Sequence, residues 1–124
     1  MSLQFRDTLS GETRTFTPVN PAQVGVYSCG PTIYGPAHIG NFRSFLFADT
    51  LVRWLRASGR TVRWVVTLTD IDDKIIRTAA AEGVESRALT DRWETVFRAD
   101  MAALRMATPD EMPRATELDA IVRQ

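Results

Sequence analysis

Apolar and polar positions along this chain follow two rhythms. Val24-Gly-Val-Tyr-Ser-Cys29 and Thr61-Val-Arg-Trp-Val-Val-Thr67 are short, β-branched and nearly continuous in apolar character, as strands buried on both faces are. Between them Phe42, Phe45, Leu46, Asp49, Leu51, Val52 and Leu55 recur at helical spacing. That spacing predicts a helix from about Asn41 to Ser58, with Asn41 as N-cap and Gly59 as stop. Strand, long helix and strand make a βαβ unit, with parallel strands and a right-handed crossover.

A second helix is expected from the carboxylate-rich run at Asp70-Ile-Asp-Asp73 to about Gly83. A third runs from Ser86 to Leu104, where Leu89, Trp93, Val96, Phe97, Met101 and Leu104 repeat with helical period. Pro109 and Pro113 bracket a loop, and Ala115 to Arg123 begins a further amphipathic helix. The elements therefore predict an α/β fold, the first half of a doubly wound, Rossmann-like parallel sheet over residues 24–124. Residues 1–23 form a preamble, with Phe5, Leu9 and Phe16 anchoring a turn at Ser10-Gly11 and Thr17-Pro-Val-Asn-Pro21 as a loop.

Composition narrows the partners. Fifteen basic and fifteen acidic residues cancel, so no global field draws the chain to nucleic acid or lipid, and any polyanion is held locally. No apolar run approaches the roughly 18 to 20 residues of a membrane span, and the start lacks a signal-peptide core, which makes the cytosol the default. The single cysteine, Cys29, excludes an internal disulfide and is a free thiol or a ligand. The last apolar pattern is cut off in progress at Gln124, so the expectation is the amino-terminal part of a longer protein. Uncovered sheet edge and apolar helix surface then favour self-association.

The chain's only cysteine and only histidine both fall in Cys29-Gly-Pro-Thr-Ile-Tyr-Gly-Pro-Ala-His-Ile-Gly-Asn41, at the carboxyl end of the first strand. Open parallel sheets bind ligands there. Gly40 lets a base or ribose lie against its backbone, the following helix aims amides at an anion, and His38 can donate to a phosphate oxygen. A structural histidine is the alternative. For Cys29, a small apolar filler is the simpler reading, since zinc needs about four ligands and no second cysteine or histidine stands in ligand spacing. Asp70, Asp72 and Asp73 could hold Mg²⁺ beside phosphates; from spacing alone, helix capping by Asp70 or Asp72 with surface pairing of Lys74 and Arg77 is simpler.

Taken together, Cys29-Gly-Pro-Thr-Ile-Tyr34, His38-Ile-Gly-Asn41, Thr69-Asp-Ile-Asp-Asp-Lys-Ile-Ile76 and Met112-Pro-Arg-Ala-Thr116 resemble the amino-terminal part of cysteinyl-tRNA synthetase, a class I aminoacyl-tRNA synthetase. The resemblance implies activation of L-cysteine by ATP, with Mg²⁺, to cysteinyl-adenylate and transfer to tRNA(Cys). It implies that Cys29 is one of four zinc ligands, the others beyond the chain end, and that the substrate thiol binds the metal. A soft thiolate would separate cysteine from serine where pocket size cannot. By the same resemblance Cys29, Gly30, Thr32, Tyr34 and Thr69 line the cysteine pocket. Pro31, Thr32, His38, Ile39, Gly40 and Asn41 hold ATP, with His38 and Asn41 as the catalytic pair.

The family signature in its strict form is His-Ile-Gly-His. Asn41 keeps a donor but loses the imidazole and its positive charge, which points to positional hydrogen bonding. The second family signature, Lys-Met-Ser-Lys-Ser, is absent from the chain, so the isolated chain is expected to be inactive and to carry little zinc. Three other readings compete. A cytidylyltransferase-like enzyme suits the length but not Cys29 or the acidic run. A cysteine:amino-sugar ligase shares the chemistry but fits the motifs less well, and a stand-alone synthetase-derived binding module remains open.

Overall fold

The computed structural model describes residues 3–117. Strands β1 (Gln4–Arg6) and β2 (Thr13–Thr15) pair antiparallel across the Ser10-Gly11 turn, where Gly11 takes a left-handed φ of 73° that a side chain would resist. Phe5 and Phe16 meet edge to face at 5.7 Å, and Phe16 packs on the main core. Leu9, expected as an anchor, is 97% exposed because it sits in the turn, away from both strands.

Strand β3 (Val24–Thr32) pairs parallel with β4 (Val62–Thr69), and helix α1 (Ile39–Ala57) connects them. β3 runs three residues past the expected stop at Cys29, because a register irregularity between Cys29 and Thr32 carries it through Gly30-Pro31. A side chain at Gly30 would put its Cβ 2.5 Å from the Thr67 carbonyl oxygen, so glycine permits the close approach of the two strands. α1 buries Phe42, Ala48, Asp49, Val52 and Leu55 against the sheet. It ends in a Schellman arrangement, with Gly59 N–H donating to Arg56 and Arg60 N–H to Leu55, and Gly59 at φ 83°.

The buried Asp49 is explained by its partners. It accepts from the Ala107 amide at 2.8 Å and from Arg53 Nε at 2.8 Å, tying α1 to the chain beyond the third helix. Helices α2 (Asp73–Glu82) and α3 (Ser86–Ala103) form a hairpin around Ile75, Ala79 and Leu89. α3 also sends Phe97 and Met101 into the main core, where Phe97 meets Phe42 and Phe45.

The segment between Pro109 and Pro113 is not the expected loop. Residues 111–114 lie parallel beside β4: Val66 N–H donates to Glu111, Leu68 N–H to Pro113, and Ala115 N–H to Leu68. Pro113 joins this ladder through its carbonyl alone, since proline has no N–H to donate to β4. The parallel sheet thus gains a third extended segment with β4 in the middle. Residues 115–116 form a turn, and the remainder of the helix expected over Ala115 to Arg123 lies outside the described residues. Among the described residues no helix is long and apolar enough to cross a membrane.

Candidate functional site

At the carboxyl ends of β3 and β4, the chain leaves β3 as a Gly/Pro-rich loop and re-enters order at α1. A cleft of about 210 Å³ opens there, lined by Pro31, Thr32, Tyr34, His38, Asn41 and Lys74 among others. Its floor is set by the sheet: Thr32 pairs with Thr69, and Ile33 donates to the Thr69 carbonyl at 3.0 Å. Ile33, 1% exposed, pins the loop into the core.

The N-cap of α1 is His38, not Asn41. His38 is extended at φ −97°, ψ 168°, and its Nδ1 accepts from the Asn41 amide at 3.3 Å, a donor shared with the His38 carbonyl at 2.9 Å. In return the Asn41 Oδ1 accepts from the His38 amide at 3.0 Å. The exchange is a capping box in which histidine and asparagine replace the usual hydroxyl and glutamate. Gly40 completes it, since a Cβ there would stand 2.9 Å from His38 Cε1 and 3.0 Å from Nδ1. The space that a side chain at Gly40 would take is thus occupied by the imidazole.

Lys74, expected in a surface ion pair, lies at the cleft with Nζ 5.4 Å from the Tyr34 ring centroid, a cation–π contact. No carboxylate pairs with it among the described residues. The signal available in the sequence was that it is the only lysine beside many arginines. The structure gathers Pro31, Thr32, Tyr34, His38 and Asn41 around one cleft. It leaves out of that lining Cys29, Gly30, Ile39, Gly40 and Thr69, of which Ile39 is 75% exposed and Gly30 is half-buried, close against Thr67 of β4.

The metal expectations are corrected. Cys29 is a free, exposed thiol on β3, and among the described residues no group of three or more His, Cys, Asp or Glu is placed to hold a metal ion. The donors present do not fit zinc, because a lone thiolate cannot build a tetrahedral site. The acidic run does not fit Mg²⁺, because its three carboxylates do not converge and each turns to a different partner. Asp70 accepts from the Thr116 hydroxyl at 2.6 Å and amide at 3.0 Å, Asp72 caps α2 through the Lys74 amide at 2.8 Å, and Asp73 pairs with Arg77 at 3.7 Å.

Behind Thr116, Arg114 is 7% exposed and binds Glu94 through Nε at 2.8 Å and Asp91 through a terminal nitrogen at 2.7 Å. Burial pushes the Glu94 carboxyl up, but hydrogen bonds from Arg98 and Arg114 outweigh it and hold it below its ordinary value. Burial likewise works against the Arg114 charge, and the carboxylates of Glu94 and Asp91 more than compensate, holding its pKa above the ordinary value. This cluster anchors the third extended segment and so the tie to Asp70.

The family model described as tRNA synthetases class I (C) catalytic domain matches residues 15–124. The chain belongs to this family. It is 42% identical over 124 residues to the cysteine–tRNA ligase of Koribacter versatilis, covering 99% of this chain and 25% of that one. It is 48% identical over 119 residues to that of Methylocella silvestris, covering 94% and 26%. The chain thus spans about a quarter of the curated relatives it matches. Among solved structures it superposes on Mycobacterium tuberculosis methionyl-tRNA synthetase in complex with methionyl-adenylate, with a TM-score of 0.66 and 27% identity over 77% of this chain and 19% of that one. The fold is accordingly a partial class I synthetase catalytic fold.

Proposed function

We propose that this chain serves the ATP-dependent activation of L-cysteine to cysteinyl-adenylate and its ligation to tRNA(Cys), as a nucleotide-holding portion of a cysteine–tRNA ligase. The observation that carries the reading is the His38–Asn41 capping box at the mouth of the cleft above the parallel strands, in a chain 42–48% identical to cysteine–tRNA ligases over nearly its whole length.

The chemistry follows from what each group offers. In activation, a carboxylate oxygen of cysteine attacks the α-phosphorus of ATP and pyrophosphate leaves, so the site must gather negative charge and align two reactants. With Nδ1 engaged, His38 offers Nε2–H to a phosphate oxygen. The start of α1 adds the positive end of a helix dipole, and Lys74 adds a full charge from across the cleft. Pro31, Thr32, Ile39, Gly40 and Asn41 form the nucleotide side of the loop in this reading. Cys29, Gly30, Thr32, Tyr34 and Thr69 belong to the side that receives the amino acid.

The test is cysteine-dependent exchange of pyrophosphate into ATP by the protein that carries this segment. His38→Ala is expected to lower exchange by about 10² to 10³-fold, the range for losing one oriented donor. Arg77→Ala should leave it within about twofold. Exchange that depends on an amino acid other than cysteine, or that survives His38→Ala intact, overturns the reading.

A further inference from the structure

Three contacts around His38 act on one property of its ring. Nδ1 accepts the Asn41 amide proton, so it carries none of its own; in the neutral imidazole the single ring proton is then on Nε2. The ring lies against Gly40, where a Cβ would come within 2.9 to 3.0 Å of Cε1 and Nδ1. The His38 backbone, which sets the direction from which the ring returns to the helix, is held at 3.0 Å by the Asn41 side-chain oxygen. Among the described residues Nε2 has no protein partner, and His38 borders the cleft.

We propose that Gly40 and Asn41 are positioning residues that lock His38 in its Nε2–H tautomer, leaving a donor, not an acceptor, free for the ligand. Gly40 does so by making room for the ring and Asn41 by fixing the backbone that carries it. The arrangement also gives a reason for asparagine at position 41. From the third helical position its amide oxygen accepts the backbone proton of the N-cap residue His38, as glutamine or glutamate does in the usual capping box. A histidine there would offer a ring nitrogen whose acceptor capacity vanishes on protonation. The tautomer rests on the capping geometry alone; its use toward a phosphate rests on the function proposed above.

Because the chain has one histidine, its imidazole nitrogens are observed without overlap in a long-range proton–nitrogen correlation of the ¹⁵N-labelled chain. Under alkaline conditions, without nucleotide, the expected pattern is that of a single Nε2–H tautomer. Gly40→Ala should shift it toward a mixture of tautomers and speed exchange of the Asn41 amide. Asn41→Ala should do the same to a smaller degree, and Asn41→Gln should restore the wild-type pattern. An Nδ1–H or mixed pattern in the wild type overturns the proposal, as does a pattern unchanged in both Gly40→Ala and Asn41→Ala. Added ATP tests the function separately: a locked tautomer with no response at Nε2 counts against the phosphate role and leaves the lock standing.

Discussion

Two loops leave the carboxyl ends of neighbouring parallel strands, and both carry motifs that chemistry could use. After β3, His38 and Asn41 satisfy the first turn of α1 and still leave a ring nitrogen free beside a cleft. After β4, the carboxylates of Asp70, Asp72 and Asp73 are taken up by Thr116, the Lys74 amide and Arg77. The contrast teaches that a polar motif at a strand end is available for ligand chemistry only by the capacity left after the backbone has been served. Histidine has two nitrogens and gives up one; a capping aspartate closes its own turn. Lys74 crosses between the two, held by the second loop's helix but facing the first loop's Tyr34.

The largest effect is expected where the two strand ends touch. Gly30→Ala would drive a Cβ into the Thr67 carbonyl, and should cost about 3 kcal/mol in chemical denaturation, at the upper end for overpacking; a loss under about 1 kcal/mol would mean the strands separate freely there. Next, His38→Ala and Asp72→Ala each remove an N-cap and should each cost about 1 kcal/mol. Only His38→Ala should also weaken ATP binding, by tenfold or more in a calorimetric titration. Equal losses of affinity in both variants would erase the distinction between the loops.

Acid supplies a smaller, directional test of the second loop's support. Glu94 is held below its ordinary value in the folded state, so it contributes stability above the carboxylate range and loses it as pH falls through its folded value. Thermal midpoints should therefore fall more steeply below about pH 4.5 in the wild type than in Glu94→Gln; parallel curves would remove Glu94 from the account. The smallest effect is Arg77→Ala. Its partner Asp73 is largely exposed, and no resolvable change in midpoint is expected.

Much of this was legible in the pattern of residues. The continuous apolar runs and the stripe from Phe42 to Leu55 gave the parallel pair and its connecting helix within a few residues, because burial on both faces leaves few alternatives. The third extended segment was not legible. Two prolines argue for a loop, and only the placement of β4 shows Pro113 joining the sheet through its carbonyl. Asn41 was misplaced as N-cap because the cap preference favours asparagine over histidine, and nothing in the linear sequence shows an imidazole folding back over Gly40. Zinc followed from resemblance, and the described residues supply no ligand set for it.

The most direct test is a titration of the ¹⁵N-labelled chain with ATP, and separately with adenosine, followed by backbone amide shifts. ATP is predicted to perturb residues 31–41 and Lys74, with adenosine markedly weaker because the anion-binding groups go unused. Perturbations centred on Asp70 to Asp73, or none near His38 at ATP concentrations that shift other amides, would contradict it.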